Sequence, residues 1–60
     1  MRYIVTGRLK RKNGRRKILE KFNANNDEEA IAIFKHEVQP EDKTEYELLT
    51  GDWKHIIFYE

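Results

Sequence analysis

The 60-residue sequence contains no cysteine and no serine. Without cysteine, disulfides and thiolate metal sites are excluded, so stability must come from one small apolar core or from a partner. The lack of both residue types also removes the commonest catalytic nucleophiles. The two histidines, His36 and His55, show no spacing typical of metal ligands. We therefore predict a protein that is not an enzyme and that uses no metal and no cofactor.

Long apolar runs are also lacking. No stretch approaches the roughly 20 residues of a membrane span, and the apolar part of the N-terminal stretch is too short for a signal peptide. Apolar residues nevertheless recur periodically, which is typical of a folded chain rather than a disordered one. We expect a single domain over residues 1–60, in the cytoplasm, with no membrane contact and no small-molecule substrate.

Charges of the two signs are separated along the chain. Residues 1–24 contain nine Lys or Arg and one acidic residue, a net charge of +8, whereas residues 25–60 contain three Lys and ten acidic residues, a net charge of −7. The chain is thus nearly neutral but strongly polarised. One short segment holds most of the cations, namely Arg8, Lys10, Arg11, Lys12, Arg15, Arg16 and Lys17.

A pair of turn-forming residues, Asn13-Gly14, lies in the middle of this basic segment. Asn-Gly predicts a two-residue type I′ turn, because both turn positions need a positive φ. Such a turn pairs Leu9 with Ile18, Val5 with Phe22 and Tyr3 with Ala24, all on one side of the hairpin, which we expect to be buried. Gly7 would then face Glu20 on that apolar side. Either a bulge at Gly7 or a Glu20 side chain that reaches the rim toward Arg11 or Arg16 would relieve this.

The next segment predicts a helix. Asn26 is a suitable N-cap, with Glu29 at the third helical position as in a capping box. Apolar residues at helical spacing indicate a stripe that covers the sheet, formed by Ala30, Ile31, Phe34 and Val38, with Ile33 at its margin. Pro40 disfavours helical geometry at the residue before it and ends the helix.

A second hairpin follows, with its turn at Gly51-Asp52. A two-residue turn would pair Tyr46 with Ile57, Leu48 with His55, Glu47 with Ile56 and Leu49 with Lys54. Apolar residues appear on both sides of this hairpin, so the pattern leaves its inward face open. The whole chain predicts an α+β fold with the order β-β-α-β-β, in which one helix packs on a four-stranded antiparallel sheet. A right-handed crossover gives the strand order 2-1-3-4.

The basic hairpin carries the leading functional hypothesis. With the predicted turn, Arg8, Lys10, Lys12, Arg15 and Lys17 share one face, and Arg11 and Arg16 flank it. Crowded cations repel one another, and a nucleic acid would relieve that repulsion with release of counterions. A two-stranded ribbon also fits the major groove of DNA. The simpler alternative is that these charges keep an edge hairpin soluble.

A protein partner is the rival hypothesis. The second hairpin offers Trp53, Phe58 and Tyr59 as candidate interface residues, although large rings in so small a protein are also needed for the core. The acidic remainder of the chain could contact a basic protein or the basic hairpin of a second copy. Self-association of this kind would be sensitive to salt.

Overall fold

The four strands form one antiparallel sheet with a single helix beside it. The computed structural model describes residues 1–11 and 13–59. In chain order the elements are β1 (Arg2–Leu9), β2 (Lys17–Asn23), α1 (Asp27–Glu37), β3 (Thr44–Thr50) and β4 (His55–Phe58). The strand order is β2-β1-β3-β4. The predicted α+β class, element order and strand order are confirmed.

The strand β1 lies at the centre of the molecule, between β2 and β3. Its residues from Tyr3 to Gly7 are all buried. Because side chains alternate along a strand, this means that both faces of β1 are covered. Tyr3 and Val5 join the core under α1, whereas Ile4 and Thr6 lie on the opposite face of the sheet. That core cluster also contains Ala24, Ala30, Phe34, Tyr46 and Leu48.

The helix α1 begins as its sequence predicts. The Asn26 side chain accepts a hydrogen bond from the backbone N–H of Glu29 at 2.8 Å, which satisfies one of the free amides of the first turn. Ala30 and Phe34 are buried, and the stripe continues with the half-buried Val38. Within residues 1–11 and 13–59, the structure contains no helix with the length and apolar character of a membrane span.

The first hairpin differs from the prediction. Strand β1 ends at Leu9 and β2 begins at Lys17, so a loop of residues 10–16 replaces the two-residue turn. Gly14 has no positive φ, which excludes a type I′ turn there. Its N–H instead donates to the carbonyl of Arg11 at 3.1 Å. The wide loop avoids the cross-strand pairs of like charge that a tight turn would impose.

The register of this hairpin is also different. Tyr3 pairs with Phe22 rather than with Ala24, and their rings stack with centroids 5.8 Å apart. The register shifts between Val5 and Thr6, so Leu19 is an extra, bulged residue of β2. A bulge is therefore present, but in the partner strand at Leu19 rather than at Gly7, the position that the sequence suggested as one alternative. Leu9 and Ile18, predicted to be buried, are exposed by 42% and 47%.

The second hairpin has a three-residue turn instead of a two-residue one. The N–H of Trp53 donates to the carbonyl of Thr50 at 2.9 Å, and Trp53 adopts a φ of 65°. The predicted pairing is wrong: Leu48 pairs with Ile57, Glu47 with Phe58 and Leu49 with His55. This register settles the face that the sequence left open, because Leu48 and Ile57 join the core beneath α1.

A partly buried hydrogen bond joins the central strand to the start of the helix. The hydroxyl of Tyr3, a residue with no exposed surface, donates to the Asp27 carboxylate at 2.7 Å. This hydrogen bond, together with burial, raises the pKa of Tyr3 to about 12. The folded protein therefore holds the phenol proton of Tyr3 more tightly than the unfolded chain does.

We expect the free energy of unfolding to fall as the pH rises from about 10 to about 12. In that range the unfolded chain releases the Tyr3 proton while the folded protein retains it. Tyr3→Phe should remove this component and cost about 1 kcal/mol at neutral pH. Urea unfolding at several pH values measures both effects.

Tyr59→Phe is the control, because no hydrogen bond of the Tyr59 hydroxyl is present in the described part of the chain. An alkaline loss of stability that is as large in Tyr3→Phe as in Tyr59→Phe would contradict the role given to Tyr3.

Candidate nucleic-acid interface

The basic residues predicted to bind nucleic acid fall into two groups. Arg8 and Arg16 form ion pairs with acidic residues of β3 on the sheet face opposite α1: Arg8 lies 3.1 Å from Glu45 and Arg16 lies 3.4 Å from Glu47. The first pair follows from the register, since Arg8 and Glu45 are direct partners across β1 and β3. Lys12 lies outside the described residues.

The sequence pattern did not identify Glu47 as an ion-pair partner of the basic segment. Only 8% of its surface is exposed, and its carboxylate contacts Arg16 and the Nδ1 of His55, the latter at 2.7 Å. A carboxylate this buried needs such partners, because desolvation of an isolated charge is costly. The Glu47–Arg16 pair holds the end of the loop onto the sheet. Detecting it would have required the β1–β3 register, which the sequence pattern alone did not provide.

The second group consists of cations without an acidic partner. Within residues 1–11 and 13–59, no ion pair involves Lys10, Arg11, Arg15 or Lys17. We call these four residues the unpaired cations. All four are exposed and lie in or next to the loop of residues 10–16. The prediction that Arg8 and Lys17 share a face is wrong, because Lys17 pairs with Gly7, the neighbour of Arg8.

A groove of about 530 Å³ lies beside this loop, next to the segment that leads into β3. Its positive charge comes from Arg11, Arg15 and Lys17, against the carboxylate of Glu41. Arg8 also borders the groove, but its guanidinium pairs with Glu45 on the opposite face of the sheet. The rest of the lining includes the side chains of Leu9, Leu19 and Tyr46. The groove therefore combines an excess of positive charge with apolar surface, which comes mainly from Leu9 and Leu19 because Tyr46 is 9% exposed.

Gly7 and the bulged Leu19 shape one wall of the groove. A Cβ atom at Gly7 would lie 2.9 Å from Cδ1 of Leu19 and 3.5 Å from Cγ2 of Thr44. A side chain at residue 7 would require the end of the Leu19 side chain to shift, so the glycine leaves room for Leu19 in its observed position over β1. The bulge aims Leu19 into the groove, although 54% of its surface remains exposed.

The three aromatic residues proposed for a protein interface have different environments. Trp53 is 49% exposed and Phe58 is 43% exposed, and the Phe58 ring lies 4.6 Å from the imidazole of His55. Tyr59 instead packs edge-on against Phe34 and Tyr46, with ring centroids 5.7 and 6.4 Å away. Tyr59 therefore contributes to the core, and Trp53 and Phe58 form the accessible aromatic surface.

The chemistry available at this site is that of binding. In the part of the chain that the structure describes, no three His, Asp or Glu residues are grouped so that they could hold a metal ion. Guanidinium and ammonium groups are suited to phosphate, which Arg can bind through two parallel hydrogen bonds.

Comparison with known proteins adds no further assignment: no family model, no curated protein and no solved structure matches the chain.

The two groups of cations should respond differently to mutation. Arg16→Gln breaks the contact with Glu47 and should lower the free energy of unfolding by about 0.5 kcal/mol, a typical value for a partly exposed ion pair. Arg15→Gln, a neighbouring change of the same kind, should leave stability unchanged or raise it slightly, because Arg15 has no acidic partner in the described chain. Urea midpoints compare the two, and equal losses would contradict the division into paired and unpaired cations.

Proposed function

We propose that this protein is a small, non-enzymatic binding module whose basic loop contacts the phosphates of a nucleic acid. The contacts come from the unpaired cations Lys10, Arg11, Arg15 and Lys17. Arg8 and Arg16 add positive charge nearby but also serve ion pairs within the fold. Lys12 belongs to the same basic segment by sequence.

The observation that carries this proposal is the crowding of four cations at one end of the sheet with no acidic partner in the described chain. Their mutual repulsion destabilises the isolated protein, and a polyanion would remove it and release counterions. Protection of a sheet edge explains the crowding less well. Such protection needs charges on the edge strand itself, whereas three of the four unpaired cations, Lys10, Arg11 and Arg15, lie outside β2.

The shape of the loop favours contact with the backbone rather than with base edges in a duplex. A ribbon that enters the major groove needs two paired strands up to its tip. Here the pairing between β1 and β2 stops at Gly7 and Lys17, well before the loop turns. Recognition through phosphates positions a protein but carries little sequence information. We therefore expect weak sequence preference and steep dependence on salt.

Fluorescence anisotropy with labelled duplex DNA, single-stranded DNA and structured RNA at low salt tests this proposal. We expect the double variant Arg11→Gln, Arg15→Gln to lose affinity, and the slope of log K against log salt to fall by about 2. The matched control is Arg2→Gln, Lys21→Gln, which removes the same charge from two residues that line a separate recess of the sheet. Absence of binding to all three probes at tens of micromolar would remove the proposal.

Protein binding through the second hairpin is the alternative function, and one observation favours it. Trp53 has a φ of 65°, a backbone region in which bulky residues are strained, yet half of its surface is exposed. The fold therefore gains little from a Trp at this position. Exposed Trp side chains often dominate the binding energy of protein interfaces.

Trp53→Gly tests the alternative. Glycine accepts this φ without strain, so the variant should be as stable as the parent or more stable by up to about 1 kcal/mol. A protein partner recovered from nuclease-treated lysate by the parent, but not by Trp53→Gly, would favour protein binding. The control is Phe22→Leu, which removes an aromatic ring from β2, outside the second hairpin, and should leave recovery of the partner unchanged. A salt-reversible oligomer in sedimentation would instead indicate self-association.

A further inference from the structure

The groove beside the basic loop has a lining that phosphate binding alone does not explain. Three of the cations in its wall, Arg11, Arg15 and Lys17, suit a phosphate backbone. Between them and β3 lie Leu9 and Leu19, which are exposed by 42% and 54%. A ligand made only of phosphates would leave these apolar surfaces in water. A ligand with an anionic part and a flat apolar part would cover both.

The position of Leu19 is built into the fold. Leu19 is the extra residue of the β2 bulge, and Gly7 leaves room for its side chain over β1. Tyr46, which is 9% exposed and whose hydroxyl donates to the carbonyl of Gln39 at 3.3 Å, is a mostly buried part of the lining.

From this arrangement we infer that the groove takes one unpaired nucleotide of a single-stranded nucleic acid. The base lies against the exposed surfaces of Leu9 and Leu19, and the adjoining phosphates contact Arg11, Arg15 and Lys17. The volume of about 530 Å³ is within the range of roughly 300–1,000 Å³ that is common for small-ligand sites. This inference rests on the proposed function and narrows it to strands whose bases are accessible.

An unpaired base is required by the chemistry of the groove. In a duplex the faces of the bases are stacked on one another, so they cannot reach an apolar wall. In a single strand, a loop or a bulge, a base can turn outward and rest on a side chain while the backbone follows the cations. A free mononucleotide carries the same combination of groups, and the experiment separates it from a strand.

Affinity for a single strand and for a duplex of the same sequence, measured at one salt concentration, tests the inference. We expect the single strand to bind more tightly. Leu19→Ala should weaken single-strand binding about fivefold, as expected for loss of roughly 1 kcal/mol of apolar contact, and leave duplex binding unchanged. Ile18→Ala is the matched control, because Ile18 is the adjacent residue, is similarly exposed and does not line the groove.

A second measurement uses the unaltered protein and therefore does not depend on how a variant folds. In heteronuclear NMR spectra, the amide signals of Gly7, Leu19 and Thr44 should shift when the single strand is added. They should shift much less with the duplex. Uridine monophosphate should displace the strand only at much higher concentration, and inorganic phosphate should act only through ionic strength.

The outcomes separate this inference from the proposed function. Equal affinity for single strand and duplex, with no effect of Leu19→Ala, would overturn the nucleotide site while leaving phosphate binding in place. Displacement by uridine monophosphate at the concentration that suffices for the strand would assign the groove to a free nucleotide. Displacement by a leucine-containing acidic peptide at lower concentration than the mononucleotide would assign it to a protein. Binding of no nucleic acid at all would remove both proposals.

Discussion

Burial of β1 on both faces is the constraint on which the rest of the molecule depends. From Tyr3 to Gly7, five consecutive residues have almost no exposed surface. Such a strand must have neighbours on both edges and cover on both faces, which in a chain of this size uses nearly every other element. The helix α1 covers one face through Phe34. Long side chains from the neighbouring strands flank Ile4 and Thr6 on the other face.

The central position of β1 also determines which basic and acidic residues of the chain come together. The acidic half of the chain is brought next to the basic half because β3 pairs with β1, and Glu45 therefore stands opposite Arg8. Two cations of the basic half, Arg8 and Arg16, are thus paired with β3. Among the described residues, Lys10, Arg11, Arg15 and Lys17 have no such partner. The candidate interface is the part of the basic segment that the acidic strand does not reach.

Several local features were predictable because their causes are local. The Asn26 cap, the apolar stripe around Phe34 and the strand order follow from short-range hydrogen bonding, helical spacing and crossover handedness. The hairpin registers were not predictable. Asn13-Gly14 is a strong turn signal, but repulsion among adjacent cations and the stacking of Tyr3 on Phe22 outweighed it. Both hairpin registers differ from the predicted ones, so several side chains lie on a different face of the sheet from the one predicted.

The sequence alone determined that the chain forms a small α+β domain and that its cations are concentrated in one segment, because periodicity and composition are properties of neighbouring residues. Only the tertiary structure decided which cations are neutralised, since ion pairs such as Arg16–Glu47 join residues far apart in the chain. It also decided that Leu19 lines a groove, because a single bulged residue changes the face on which a side chain lies. The face on which a side chain lies and the residue that it contacts both depend on the strand register. That register is set by contacts across the whole sheet.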